Sequence, residues 1–380
     1  MPGIGYAARR LRPMAEGNAV KILFALPGFH RFDRGAEVAL LSVADAMAQA
    51  GEAVTVMGSG AARPGTAYRF VAVPSIARTR FERFPFFPPL RSETAWEDAT
   101  FAAALLRRYD PSAYDAVVTC SFPFTHWALR RPARRKPLQV FVTQNGDWPA
   151  TSDRSEYRSF RTDLLVCTNP DYYAASEARW PCALVPNGVD LARFSPGPGE
   201  RAALGLPAEG PIVLMVSALI ATKRVMDGIR AVAALPGVHL VVAGDGPLRA
   251  EAQALADSLM PGRFRRVSLA AAQMPALYRS ADAFLHLSLL ESFGNVFIEA
   301  WASGLPVVGH DTPRLRWILG DNTRFLCDTE DQAALGNALK AALAQGAGEP
   351  APGIERFAWP TIAAQYREAI AARLAARVSP

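Results

Sequence analysis

The sequence predicts an α/β protein of two Rossmann-like domains facing a central cleft, on three observations. Short apolar runs of strand length alternate with stretches of helical periodicity, the pattern of parallel sheets flanked by helices. That alternation occurs twice, before and after a turn-rich stretch, Asn187-Gly188-Val189-Asp190 followed by Ser195-Pro196-Gly197-Pro198-Gly199, whose composition suits a linker. The chain has 380 residues, half of them apolar. That is enough for two cores at roughly 100–200 residues per domain, and it excludes a disordered or fibrous chain.

Taken in order, residues 1–18 show no periodicity and read as an extension. Residues 21–26 form a strand-length apolar run ending at Pro27-Gly28. Leu40, Val43, Ala44 and Met47 then recur at helical spacing, and Gly51 is placed to end that helix. Further strands are expected at 53–57, 116–119, 139–143 and 164–167. Residues 76–93, rich in Arg, Phe and Pro, read as an irregular loop. After the linker, strands are expected at 212–217, 238–243, 283–287 and 306–308, and a last helix from about residue 360 to 375.

Charge is unevenly spread. Lys and Arg number 41 against 35 Asp and Glu, a net of +6. Residues 1–195 hold 24 basic and 18 acidic side chains, while residues 196–380 balance at 17 and 17. The surplus therefore lies wholly in the first half. Four scattered cysteines without a C-x-x-C pair point to a reducing, cytoplasmic setting. No apolar run reaches the roughly 18–20 residues of a bilayer crossing, and none follows the N-terminal arginines as in a signal peptide. Attachment to a membrane surface stays open.

The chemistry concentrates in residues 291–308. A helix beginning near Gly294 leaves the first amides, about Phe293 to Val296, without intrahelical partners, and with the helix dipole they suit a diphosphate. Gly294 also removes a side chain where a ligand would meet the backbone. Glu291 lies before the helix and Glu299 inside it, so the two carboxylates can address different parts of one elongated ligand. Lys223 and Arg224 follow a strand by a short loop, where cations neutralise a phosphate in the crevice or simply stay solvated. In the first half, Gly35 opens a helix toward the same cleft. Asn145, Asp147 and Trp148 end another strand. His126 is either a proton shuttle or a core histidine. No H-x-x-x-H or D-x-D pattern occurs, so no metal is expected.

Taken together, Glu291 to Glu299, with Ala300, Gly304 and Pro306-Val307-Val308 after them, resemble the E-x7-E region of glycosyltransferase family 4, retaining enzymes of the GT-B fold. Gly35-Ala36-Glu37, Pro186-Asn187-Gly188-Val189-Asp190 with Phe194, Lys223, Gly244-Asp245-Gly246-Pro247, Leu277-Tyr278-Arg279-Ser280-Ala281-Asp282 and Phe357-Ala358-Trp359 agree in order and spacing. The resemblance covers about residues 20–375.

It implies an acceptor-binding domain over residues 1–195, a nucleotide-sugar-binding domain over 196–360, and a helix, 361–380, returning to the first domain. It implies transfer of a hexose-type sugar from a nucleotide-diphosphate sugar, with retention, by a front-face mechanism needing no metal or other cofactor. By the match, Glu299 holds the ribose, and Glu291 with the Phe293 and Gly294 amides holds the donor sugar. Lys223, the Asn295 and Val296 amides and Arg224 stabilise the leaving diphosphate. Glu291, Lys223 and Asn145 are then the catalytic candidates, Gly35 a further donor contact, and His126, Asp147 and Trp148 acceptor-side candidates.

Three positions depart from the family pattern. Ala218 stands where the family has an arginine, Asn145 stands where it often has a histidine, and Arg34 replaces the first glycine of the G-G-x-E loop. Two other readings share the cleft, a sugar-nucleotide 2-epimerase and a non-catalytic sugar-nucleotide-binding protein at a membrane. An oxidoreductase would carry G-x-G-x-x-G after the first strand, where Leu26-Pro27-Gly28-Phe29-His30 stands instead. The expected partners are a nucleotide sugar, a bacterial-type cell-surface glycan or lipid-linked acceptor, and an anionic membrane surface at the inner face. Nucleic acid is not expected.

Overall fold

The computed structural model describes residues 19–146, 148–289, 291–350 and 352–378. Among them, thirteen strands form two sheets. The first contains β1 (Lys21–Ala25), β2 (Ala53–Gly58), β3 (Arg69–Ala72), β4 (Ala116–Thr119), β5 (Leu138–Val142), β6 (Leu164–Cys167) and β7 (Cys182–Leu184), in the order β3-β2-β1-β4-β5-β6-β7. The second contains β8 (Ile212–Val216), β9 (His239–Ala243), β10 (Phe264–Val267), β11 (Ala283–His286), β12 (Val307–His310) and β13 (Leu326–Cys327), in the order β10-β9-β8-β11-β12-β13. Neighbouring strands pair in parallel throughout, as between β1 and β4 and between β8 and β11.

The central strands are buried along their length, β4 and β5 completely, which is why they appear in the sequence as continuous apolar runs. Strand order reverses between β1 and β4 and between β8 and β11. Those switch points open a crevice at the carboxyl ends of the strands, and the two crevices face each other.

Leu40, Val43, Ala44 and Met47 of the helix Gly35–Gln49 are buried against Ile22 and Phe24 of β1. The last helix, Trp359–Val378, lays Ile362, Ala363, Tyr366 and Ile370 on that same first-domain core. Each of the two isoleucines contributes about 1.5–3 kcal/mol by leaving water. Arg373 ties the helix further, donating to the Asp163 carbonyl at 3.1 Å. The helix therefore belongs to the first domain, although it follows the second in sequence.

The chain passes between domains twice, and the two passages pair with each other. The Val189 amide donates to the Phe357 carbonyl at 2.8 Å, and Val189 forms a parallel bridge with Ala358. A Cβ at Gly188 would lie 2.6 Å from the Trp359 ring, so only glycine lets the crossings touch.

Two features differ from the sequence reading. Strands β3, β7, β10 and β13 lie outside the expected runs because they are short and half-exposed. Residues 76–93 are more ordered than a plain loop, with a 3-10 turn at Arg78–Phe81 and a Phe87–Leu90 bridge. Ser92 then caps the helix Glu93–Leu105, accepting from the Ala95 amide at 3.2 Å. Among the described residues no helix is long and apolar enough to cross a membrane.

Candidate active site

The facing crevices make one cleft of about 1330 Å³. Its second-domain wall comes from the segments after β8 (Ser217, Ala218, Lys223), β9 (Gly244, Asp245) and β11 (Glu291 to Val296, then Glu299), with His286 at the end of β11. Its first-domain wall comes from the loops after β1 (Gly28, Arg34, Gly35) and β5 (Gln144, Asn145). Gly244 and Gly246 serve backbone contact, since a Cβ there would lie 2.0 Å from the Ser217 carbonyl and 2.4 Å from that of Leu219.

Gly294 caps the helix Asn295–Ala302 with φ of 88° and ψ of 63°, the left-handed region. A Cβ there would also lie 2.6 Å from the Phe297 ring. Glycine is thus required twice, by torsion and by space. Asn295 and Val296, the first residues of that helix, line the cleft, and first-turn amides lack an intrahelical acceptor. An anion is the natural ligand of such a helix start.

Glu291 sits between two cations or cation-capable groups. Lys223 Nζ is ion-paired with Glu291 Oε1, and His286 Nε2 lies 2.8 Å from the same oxygen. Burial alone would raise the Glu291 carboxyl. The His286 and Lys223 contacts outweigh it and hold the group at about 2. Glu299 behaves oppositely. Burial raises its carboxyl, while the Tyr278 hydroxyl, donating to Oε2 at 2.7 Å, and Arg193 offset that only in part.

Amides and ion pairs join the walls. Gln144 and Asn187 exchange side-chain hydrogen bonds at 2.6 and 3.1 Å, and Asn187 also donates to Asn295 Oδ1 at 2.9 Å. Asn169 donates to the Ser292 carbonyl, and Arg314 pairs with Asp171 at 2.5 Å while donating to the Glu291 carbonyl.

Two families match this chain. Glycosyltransferase Family 4 matches residues 34–193, and Glycosyl transferases group 1 matches residues 198–352. This chain belongs to glycosyltransferase family 4. It is 30% identical over 246 residues to the lipopolysaccharide core biosynthesis glycosyltransferase LpsE of Rhizobium meliloti (strain 1021), covering 61% of this chain and 70% of that protein. Among solved structures, sucrose-phosphate synthase from Thermosynechococcus elongatus superposes with a TM-score of 0.71 at 23% identity, covering 93% of this chain and all of that one (100%). Anabaena HepE, solved in complex with UDP and glucose, gives 0.69 at 19% identity, covering 93% and 99%. These likenesses establish the GT-B fold.

Within this glycosyltransferase, the cleft gathers most of the residues the sequence singled out: Gly35, Asn145, Lys223, Glu291, Glu299 and the 293–296 turn. Three others lie elsewhere. Arg224 adopts φ of 53°, and its guanidinium is held by Asp227 Oδ2 at 2.9 Å and by the hydroxyl and carbonyl of Thr329 at 3.0 Å. That arrangement takes it out of the cleft lining. His126 is a core residue, 1% exposed and stacked 5.0 Å from the Phe160 ring. Burial, helped by Arg130, pushes its imidazole down to about 4, and Nε2 faces the Arg161 carbonyl at 2.8 Å. Trp148 is exposed and outside the cleft lining, its indole donating to the Asn145 carbonyl at 2.6 Å. Asp147 lies outside the described residues.

The sequence reading assigned no role to His286 or Arg193 and none to the Tyr278 hydroxyl. His286 is hidden inside a strand-like run, where alternation gives no sign that one side chain reaches the strand end. Among the described residues no group of three His, Cys, Asp or Glu is placed to hold a metal ion.

Proposed function

We propose that this enzyme transfers a hexose-type sugar from a nucleoside-diphosphate donor to a glycan or lipid-linked acceptor, with retention and without a metal. The observation that carries this reading is one cleft lined by a cation, a helix start and two carboxylates: Lys223, the 293–296 turn, Glu291 and Glu299. A buried carboxylate already holding Tyr278 on one oxygen leaves the other to accept from paired ribose hydroxyls. Glu291, kept ionised, is suited to sugar hydroxyls in the same way.

The chemistry follows from where charge develops. As the bond from the anomeric carbon to the β-phosphate oxygen breaks, the electron pair passes to the diphosphate. Lys223 and the Asn295 and Val296 amides stabilise it there, preorganised where the charge develops. The acceptor oxygen bonds to the anomeric carbon from the face the phosphate leaves, and its proton passes to the departing phosphate oxygen. Asn145, at the β5 end of the opposite wall, hydrogen-bonds the sugar and need not act as a base.

For the acceptor, the relative named for lipopolysaccharide core biosynthesis and the basic first domain support a glycan precursor carried at an anionic membrane surface, with the enzyme peripheral to the inner face. Arg130, Arg134, Arg135 and Lys136 are exposed on that domain, as are Phe84, Phe86 and Phe87 beside Arg80 and Arg83. Basic groups near anionic lipid contribute about 1 kcal/mol each. Release of nucleoside diphosphate only when an acceptor is supplied, with the donor's anomeric configuration kept in the product, supports transfer. Release without acceptor, or conversion of the free sugar nucleotide to an epimer, contradicts it.

A further inference from the structure

A departing diphosphate carries more negative charge than one lysine neutralises, and Lys223 is already shared with Glu291. Among the described residues, the cations lining the cleft are Arg34, Arg78, Arg193 and Lys223. Two of these arginines are committed. Arg78 donates twice to the buried Glu97, at 3.2 and 3.1 Å. Arg193 donates to the Ala271 carbonyl at 3.0 Å and packs over Phe194, on the Glu299 side. Arg224 is held outside by Asp227 and Thr329.

Arg34 differs. It precedes the helix Gly35–Gln49 on the wall opposite Lys223, with its side chain 42% exposed. Its contacts are an ion pair with Glu37 Oε1 at 3.6 Å and a stack on the face of Phe32 at 4.0 Å. Glu37 itself is fixed. It is buried, and a Cβ at Gly28 would lie 2.0 Å from Glu37 Oε1. Arg34 thus holds its guanidinium at the cleft edge against an anchored counter-ion, at a longer distance than the hydrogen bonds that hold Arg78.

We propose that Arg34 is the second cation of the leaving group, donating N–H groups to the β-phosphate oxygens from the first domain while Lys223 acts from the second. This rests on the donor reading above. In the step it serves, the anomeric carbon–oxygen bond breaks with its electron pair going to the phosphate, and the acceptor's proton ends on that phosphate. Arg34 transfers no proton. Because its two cations come from different domains, the site is electrostatically complete only when both walls grip one donor. A guanidinium offers two parallel N–H bonds to such an oxyanion, and that geometry separates it from lysine.

The test compares wild type, Arg34→Gln, Lys223→Ala and the double variant Arg34→Gln/Ala218→Arg. Ala218 lines the donor wall with Lys223, so an arginine there returns the missing charge from the other side. Binding of UDP, GDP, ADP and dTDP, and of the matching monophosphates, is measured by calorimetry, followed by turnover of the sugar nucleotide that binds. For Arg34→Gln we expect roughly 10-fold weaker diphosphate binding, little change for the monophosphate, and kcat lower by about 100-fold, with the melting temperature unmoved. Partial recovery of kcat in the double variant supports the assignment. If Arg34→Gln binds the diphosphate and turns over like wild type while Lys223→Ala does not, Arg34 has no such role and the donor reading stands. If the wild type binds none of the diphosphates, the donor reading itself falls, and this inference with it.

Discussion

Lys223 and Glu291, 68 residues apart in sequence, form an ion pair in the lining of the cleft, and His286 contacts the same carboxylate oxygen. In the proposed reading, a bound diphosphate would compete for that lysine, exchanging one partner of Lys223 for another while His286 kept Glu291 in place for the sugar.

Removing the lysine tests that exchange. Lys223→Met is expected to lower kcat by about 100- to 1000-fold, the usual cost of losing one charge-stabilising group. Steady-state kinetics with the cognate sugar nucleotide check it. A change confined to KM would place Lys223 in ground-state binding only.

Glu291 also makes stability depend on pH. Its folded carboxyl titrates at about 2, below the ordinary 4.5, so the paired state adds stability that is fully present above 4.5. That contribution is lost as pH falls toward 2. Urea unfolding at about pH 7 should therefore show Glu291→Gln less stable than wild type, and the gap should narrow by about pH 3.5.

Glu299 runs the other way. Burial raises its carboxyl, so the folded state resists its ionisation and loses stability as pH rises past 4.5. Glu299→Gln, which can still accept from Tyr278, is expected to raise the melting temperature of the ligand-free protein at neutral pH. The same variant should bind the sugar nucleotide at least about 10-fold more weakly, because the amide's donor group meets ribose hydroxyls poorly. Parallel melting and binding curves read both effects.

His126 is expected to be silent in catalysis. With the imidazole pushed down to about 4 in an aromatic core, the folded protein holds it neutral. Stability should fall as pH drops from about 6.5 toward 4, where the unfolded chain takes the proton and the folded one does not. His126→Gln should cost about 1–2 kcal/mol of stability and narrow that acid loss. Its pH–rate profile should match wild type, and a displaced profile would return His126 to the reaction.

The membrane reading has its own measurement. Replacing Phe84, Phe86 and Phe87 by serine, or Arg130, Arg134 and Arg135 by glutamine, should weaken co-sedimentation with vesicles of phosphatidylcholine and phosphatidylglycerol at low salt. Both sets are exposed, so folding should be spared. Absence of wild-type binding under those conditions, where screening is least, would contradict membrane attachment.

Much of this site was legible because it is built from strand-end loops whose residue types are constrained by backbone geometry. Gly294 is the clearest case, since its left-handed torsion and its contact with Phe297 leave no other residue. The core strands were legible for a similar reason, burial on both faces. Arg224 was not, although it adjoins Lys223. Its direction is set by Thr329, 105 residues away, and such a partner leaves no local trace. The same holds for His126, whose aromatic surroundings include Phe141 and Phe160 from other parts of the chain. The uneven charge was visible at once, but which arginine serves the cleft was not. Arg34, Arg78 and Arg193 all line it, and only their partners distinguish them.

Whether the cleft around Lys223, Glu291 and Glu299 binds a nucleotide-diphosphate sugar is decided by thermal unfolding in the presence of UDP-, GDP-, ADP- and dTDP-sugars, with Glu299→Ala alongside. One base class is expected to raise the wild-type melting temperature and to leave Glu299→Ala unchanged. No stabilisation by any of them, or an equal response from the variant, would contradict that binding.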